Sequence, residues 1–138
     1  MAMLLDQVLA RIGALAGAAA PAGTAVHIER VAPISREEAP AVNVQVREVS
    51  VEPFGDDMDR LDAIVELRIT VRDDAPTGAA DAVHAPVHQA VIKDPVLRSL
   101  VDGIRSTGAT FERDDADLPS LVKVAGYRVT ALVPKASH

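Results

Sequence analysis

The sequence of 138 residues contains no cysteine and no tryptophan. The absence of cysteine excludes disulfides, zinc sites with thiolate ligands and a cysteine nucleophile, and it fits assembly in a reducing compartment. Only 2% of the residues are aromatic, so the core must consist mainly of Val, Leu, Ile and Ala. The same shortage disfavours a surface that stacks the bases of RNA or single-stranded DNA.

Basic residues and long apolar runs are also scarce. The chain has 14 Lys and Arg against 20 Asp and Glu, a formal net charge of -6. Because binding to phosphate groups requires a basic patch, we expect no nucleic acid as the main partner. Proteins or cations fit this charge better. No run reaches the roughly 18 apolar residues of a membrane-spanning helix, so we expect no membrane association.

The first 20 residues have the small side chains of a secretory signal, but no basic residue precedes them. Leu5, Val8, Leu9 and Ile12 instead follow the spacing of an amphipathic helix. The pattern predicts a helix that ends near Gly17.

Residues 24–31 alternate apolar and polar side chains, which predicts a strand. The polar segment 34–40 follows. Ser35 and Glu38 have the spacing of a capping box, but Pro40 comes too soon for a full helix. This segment is therefore predicted to form a single turn.

The stretch 41–54, AVNVQVREVSVEPF, has Val on every second residue until the parity changes between Val46 and Val49. Because strand side chains alternate with a period of two, the change predicts a bulge, a bend or burial of both faces in turn. A loop over 53–60 should separate this strand from a regular, half-buried strand over 61–71.

A helical spacing of apolar residues begins near residue 79 and continues past Pro86. It predicts one kinked helix, or a helix that starts at this proline. A short helix over 96–102 and strands over 104–113 and 120–133 complete the chain.

This order of elements predicts an α+β fold in a single domain spanning 1–138. Links of hairpin length join the second strand to the third and the fourth to the fifth. The sheet of about five strands should therefore be mostly antiparallel, or mixed, with helices packed on one face.

His84 and His88 are four residues apart on the predicted helix, a spacing that lets two imidazoles reach one metal ion. The sequence HAPVH lacks the adjacent Glu of zinc proteases, and Pro86 lies between the two residues. We therefore predict a histidine pair at the core boundary and no metal site.

Aspartates cluster in the predicted turns at 56–59, 73–74 and 114–117. Asp is common in turns because its side chain caps local backbone groups. The alternative is contact with Arg or a divalent cation at a subunit boundary. No nucleophile–base pattern and no glycine-rich phosphate loop is recognisable, so we expect a protein that is not an enzyme.

Four collinear segments resemble the tail terminator family of long-tailed bacteriophages, the minor tail protein U family of lambda-like phages. They are EEAPAVNV at 37–44, LRITV at 67–71, DPVLRSLVDGIRSTGATFERDDAD at 94–117 and SLVKVAGYRVTALV at 120–133. The resemblance covers most of the chain from about Val31 onward, together with the leading helix.

The resemblance implies a structural role. Proteins of this family form a ring, typically a homohexamer, on the head-proximal end of the tail tube, where they stop tube growth and provide a surface for the head. The expected partners are further copies of the chain, the major tail tube protein and a head-completion protein. The expected location is the virion, after assembly in the cytoplasm of a host bacterium.

Charged turns are the predicted contact surfaces of such a ring. No cofactor is expected. A divalent cation such as Mg²⁺ is expected to promote assembly, because it reduces the repulsion between like charges on neighbouring subunits. The predicted subunit or tube contacts are Arg36, Glu37, Glu38, Asp73, Asp74, Arg113, Asp114, Asp115 and Asp117.

Three alternatives fit parts of the same pattern. The first is another virion component, either a head–tail connector or completion protein or a tail tube subunit. The second is a small metal-dependent enzyme that uses His84 and His88. The third is a cellular binding module built on an antiparallel sheet.

Overall fold

The computed structural model describes residues 2–114 and 120–135, apart from the side chains of Ala2, Arg36 and Asp114. In chain order the elements are α1 (Ala2–Ala19), β1 (Ala25–Ile28), a 3₁₀ turn (Arg36–Glu38), β2 (Ala41–Phe54), β3 (Met58–Arg72), α2 (Pro76–Lys93), α3 (Pro95–Leu100), β4 (Gly103–Asp114) and β5 (Ser120–Pro134).

The five strands form one sheet in the order β1-β2-β3-β5-β4. Strand β1 runs parallel to β2, and the other three neighbouring pairs are antiparallel. The predicted α+β fold with a mostly antiparallel, mixed sheet is therefore confirmed. Strand β3 is the central strand, and β1 and β4 lie at the two edges.

The parity change in the valine-rich strand is a β-bulge. The register of β2 against β3 shifts between Val46 and Glu48, so one extra residue is accommodated in β2. Val46 lies opposite Val65, and Val49 lies opposite Ala63. The bulge therefore keeps the valines on both sides of it on the same face of the sheet.

That face carries the helices, as predicted. The hydrophobic core contains Leu9 and Ile12 of α1, Val87 of α2, and side chains from one face of the strands, such as Leu67. Burial of these apolar surfaces is the main stabilising contribution to the fold. The other face of the sheet, called here the open face, carries mixed polar and apolar side chains.

Two predicted boundaries were wrong, and the end of α1 lies two residues beyond its predicted position. Helix α1 continues past Gly17 to Ala19, because Ala is a strong helix former and Pro21 is the first residue that prevents continuation. Strand β1 ends at Ile28 because Glu29 has a positive φ of 53°, outside the extended region. Residues 53–60 are mostly strand, and only 55–57 form the hairpin turn.

The second helix is continuous, with Pro86 inside it, and it begins at Pro76 rather than near residue 79. Proline suits the first turn of a helix, where its missing N–H is not needed. The predicted single turn after β1 is present as the 3₁₀ turn Arg36–Glu38.

Asp94 joins the last two helices to the first. Its carboxylate accepts the Leu97 N–H at 2.9 Å and so caps the N-terminus of α3. The same carboxylate receives two hydrogen bonds from the Arg11 guanidinium, at 2.9 Å from Nε and 2.7 Å from Nη2. The hydrogen bonds from Arg11 lower the pKa of Asp94.

Candidate functional site

Most of the predicted contact residues lie at one end of the sheet. The start of β2 pairs with the end of β3, and the start of β5 pairs with the ends of β3 and β4. We call this the charged end. It comprises Arg36, Glu37, Glu38, Asp73, Asp74, Arg113 and Asp114.

Glu38 is engaged inside the subunit. Its carboxylate receives hydrogen bonds from both terminal nitrogens of Arg30, the one from Nη2 at 2.9 Å. It also accepts the Ser35 N–H at 3.1 Å, the contact that the capping-box spacing predicted. The hydrogen bond from Arg30 is the main reason that the pKa of Glu38 falls to about 2. Glu38 therefore fixes the connection between β1 and β2.

Arg30 also attaches this connection to the open face. Its backbone N–H donates to Asn43 Oδ1 at 3.1 Å, and its carbonyl accepts from Asn43 Nδ2 at 2.9 Å. Residues 30–34 thus border a cavity of about 400 Å³ whose floor includes Asn43, Arg68 and Val122. Asn43 is only 7% exposed because of this cover.

The other members of the charged end with described side chains face solvent or make local contacts. Glu37 and Asp74 are exposed. Asp73 accepts the Ala75 N–H at 2.9 Å, the usual turn contact of Asp. Arg113 donates to Thr77 Oγ1 at 2.9 Å, at the start of α2.

Four predicted contact residues have no described side chain. Arg36 belongs to the 3₁₀ turn, and Asp114 ends β4 opposite Ser120. Asp115 and Asp117 lie outside the described residues.

The opposite end of the sheet presents apolar side chains that sequence reasoning missed. Phe54 at the hairpin turn is 52% exposed and Leu132 of β5 is 41% exposed. Both line a shallow cavity of about 250 Å³ together with Arg60 and Asp102. We call this the hairpin end. No pattern marks it in the sequence, because Phe54 and Leu132 look like ordinary core residues of strands.

The two sheet edges also expose apolar side chains. Ile28 of β1 is 47% exposed, and Val31 just after it is 98% exposed. On the other edge Phe111 of β4 is 45% exposed, with the Lys123 ammonium 5.8 Å from the centre of its ring. In the part of the chain that the structure describes, no strand pairs with the outer side of β1 or β4.

His84 and His88 both contact the hydroxyl of Tyr127. The distances are 3.0 Å from His84 Nε2 and 2.7 Å from His88 Nδ1 to the phenolic oxygen. A hydroxyl has one proton, so it can donate to only one imidazole and must accept from the other. Burial raises the pKa of Tyr127 and keeps the phenol neutral.

The pKa of His84 falls to about 4, first because the ring is partly buried and then because Lys123 and His88 are near. The pair therefore lies at the core boundary, as predicted, with α2 bonded to β5. Among residues 2–114 and 120–135, no group of three or more His, Cys, Asp or Glu side chains is placed to hold a metal ion.

Replacing Tyr127 by Phe should lower the free energy of unfolding by about 1 kcal/mol, because two imidazole nitrogens lose their partner. Urea denaturation at pH 7 measures this change. Tyr127→Phe keeps the ring and its packing, so it reports the hydroxyl alone. A variant as stable as the parent would show that water replaces the hydroxyl at no cost.

No described helix is both long and apolar enough to cross a bilayer. Comparison of the chain with models of known protein families gives no match, and comparison with curated protein sequences gives none either.

Proposed function

We propose that this chain is a structural virion protein that forms a ring on the head-proximal end of a phage tail tube. The ring stops growth of the tube and provides the surface to which the head attaches. The proposal begins from the resemblance of four collinear segments to tail terminators, at 37–44, 67–71, 94–117 and 120–133. It places the protein in the virion, after assembly in the cytoplasm of a host bacterium.

The observation that carries the proposal is a single sheet with two unlike open edges. A closed ring of identical copies needs a heterologous contact, in which one patch meets a different patch on the next copy. Here β1 and β4 differ in length and sequence, lie at opposite edges, and each has an exposed apolar residue, Ile28 or Phe111.

The two ends of the sheet support the proposal in a different way. If the strands run along the ring axis, the charged end and the hairpin end form the two opposite rims of the ring. A tail terminator has different partners on its two sides, the major tail tube protein and a head-completion protein. The hairpin end carries charges such as Asp56 and Asp57 as well, but it also exposes Phe54 and Leu132, and this difference between the rims suits two different partners.

A divalent cation such as Mg²⁺ should promote assembly without acting as a cofactor. Glu37 and Asp74 are exposed at the charged end. Their repulsion across a subunit boundary is long-ranged at low salt and is reduced by ions. Assembly would then respond to ionic conditions or to the end of the tube.

The test is the mass of the purified protein in solution over a range of concentrations, with and without Mg²⁺, together with electron micrographs. We expect closed rings of uniform mass, and we expect added protein to block the elongation of purified tail tubes. The double variant Glu37→Lys with Asp74→Lys removes these negative charges, so its ring formation should depend less on Mg²⁺ than that of the natural chain. Asp56→Lys with Asp57→Lys, at the hairpin end, is the matched control.

Other outcomes point to the alternatives. Long tubes of this chain alone would identify a tail tube subunit, and rings that bind heads but ignore tubes would identify a connector or completion protein. A monomer that persists at high concentration with Mg²⁺, and does not bind tubes, would contradict the proposal.

A further inference from the structure

The unlike edges of the sheet are also complementary in strand direction. Strand β1 is parallel to β2, and three antiparallel pairings then lead from β2 to β4. Strand β4 therefore runs opposite to β1. If the strands run along the ring axis, rotation about that axis leaves their direction unchanged. Strand β4 of one copy would then meet β1 of the next copy as an antiparallel pair. Antiparallel pairing is slightly more stable per residue than parallel pairing.

Residues of β1 and β4 also lie in the same rows across the sheet. The register places Val26, Val42, Ile69, Lys123 and Phe111 in one row across the sheet. All five side chains belong to the helix-bearing face. If the next copy continues the sheet without a shift, Phe111 lies beside Val26 of that copy.

The next row on the same face runs from Ile28 through Val44, Leu67 and Ala125 to Ala109. Ile28 and Phe111 would thus be diagonal neighbours across the new strand pair, within reach of each other. Both are about half exposed in the isolated chain, and the contact would cover both.

An open strand edge favours pairing with another chain, and proteins usually protect such edges. Strand β4 has 12 residues, and its middle section at 106–110 carries no charge. Its bulge at Thr107, where the register shifts between Ser106 and Gly108, interrupts pairing only locally. Most of this edge is therefore available to a partner strand.

We propose that the ring contact is a continuation of the sheet, in which β4 of one copy pairs antiparallel with β1 of the next. Phe111 then packs beside Val26 and Ile28 of the neighbour. This inference rests on the proposed function, since it names the surface that closes the ring. Pairing of β4 with β4 of a second copy is the competing arrangement, and it would close a dimer and leave β1 open.

Cross-linking tests the contact without background, because the natural chain has no cysteine. One variant carries Ile28→Cys and another carries Phe111→Cys, both at exposed positions. The two are mixed under conditions of assembly and treated with a short bismaleimide. We expect a cross-linked dimer from the mixture and none from either variant alone. The double variant should give a ladder that ends at the mass of the ring.

Two further variants make the result specific. Val96→Cys lies on the exposed side of α3 and, mixed with Phe111→Cys, should not cross-link. Ala109→Cys replaces a small exposed residue in the row of Ile28. Ala109→Cys should cross-link with Ile28→Cys, and it replaces Phe111→Cys in the experiment if that substitution prevents folding.

The outcomes separate the two proposals. Rings of normal mass without any cross-link from Ile28→Cys would overturn the edge contact and leave the proposed function standing. Efficient cross-linking of Phe111→Cys with itself would show β4–β4 pairing and overturn the edge contact as well. If the natural chain forms no ring under any condition, the proposed function fails first, and the edge contact fails with it.

Discussion

Leu67→Ala is expected to lower the free energy of unfolding by about 3 to 5 kcal/mol, enough to unfold much of a marginally stable domain. Leu67 is fully buried in β3, the central strand. It lies between Val44 and Ala125 on the helix-bearing face. Because strands surround it on both sides, the sheet cannot collapse around the space left by the missing atoms.

The matched control is Leu132→Ala, the same truncation at a residue that is 41% exposed. We expect a loss below about 1 kcal/mol for the control, because much of that side chain already contacts water. Both are measured by urea denaturation in dilute protein, since assembly would add its own stabilisation. Equal losses at the two positions would mean that Leu67 does not lie in a tightly packed core.

Acid is expected to destabilise the fold through His84. The pKa of His84 is about 4 in the folded protein, below the roughly 6.5 of an unperturbed histidine. The unfolded chain therefore binds the proton more strongly. The contribution of His84 to the free energy of unfolding should be constant above about pH 6.5, should fall as the pH decreases toward 4, and should level off below that.

A shift of this size corresponds to at most about 3.5 kcal/mol. Because the ring is partly exposed, we expect about 1 to 2 kcal/mol. Lys123 and His88 oppose protonation of His84, and Asp81 favours it. The measurement is the free energy of unfolding between pH 7 and pH 4 for the natural chain and for His84→Gln.

His84→Gln should have a flatter pH dependence over this range, and the difference between the two curves isolates the contribution of His84. Carboxylates such as Glu38 and Asp94 have lowered pKa values. Their contributions are lost mainly at lower pH, and both proteins share them. Parallel curves from pH 6.5 to pH 4 would contradict the assignment.

The periodic segments were predicted well because their signal is local. The alternation at 61–71 and the helical spacing through Pro86 each reflect one buried face, and both elements are present. The parity change between Val46 and Val49 predicted a bulge, a bend or burial of both faces, and the structure has the first of these.

The sequence did not indicate which side chains bind each other when the partners belong to different segments of the chain. Nothing in the segment of Glu38 indicated that Arg30 would bind its carboxylate, and the contact of Glu38 with a neighbouring subunit stays a prediction. His84 and His88 were predicted to lie at the core boundary, and nothing in their own segment indicated that Tyr127, about 40 positions later, would bond both.

Composition and periodicity act over short stretches of the chain. For this reason the amino-acid sequence alone excluded cysteine chemistry, required an aliphatic core and placed most helices and strands. The parallel pairing of β1 with β2 and the position of β5 between β3 and β4 became clear from the three-dimensional fold and not from any local pattern. Strand order depends on which apolar faces pack together, and this choice leaves Ile28 and Phe111 on opposite open edges.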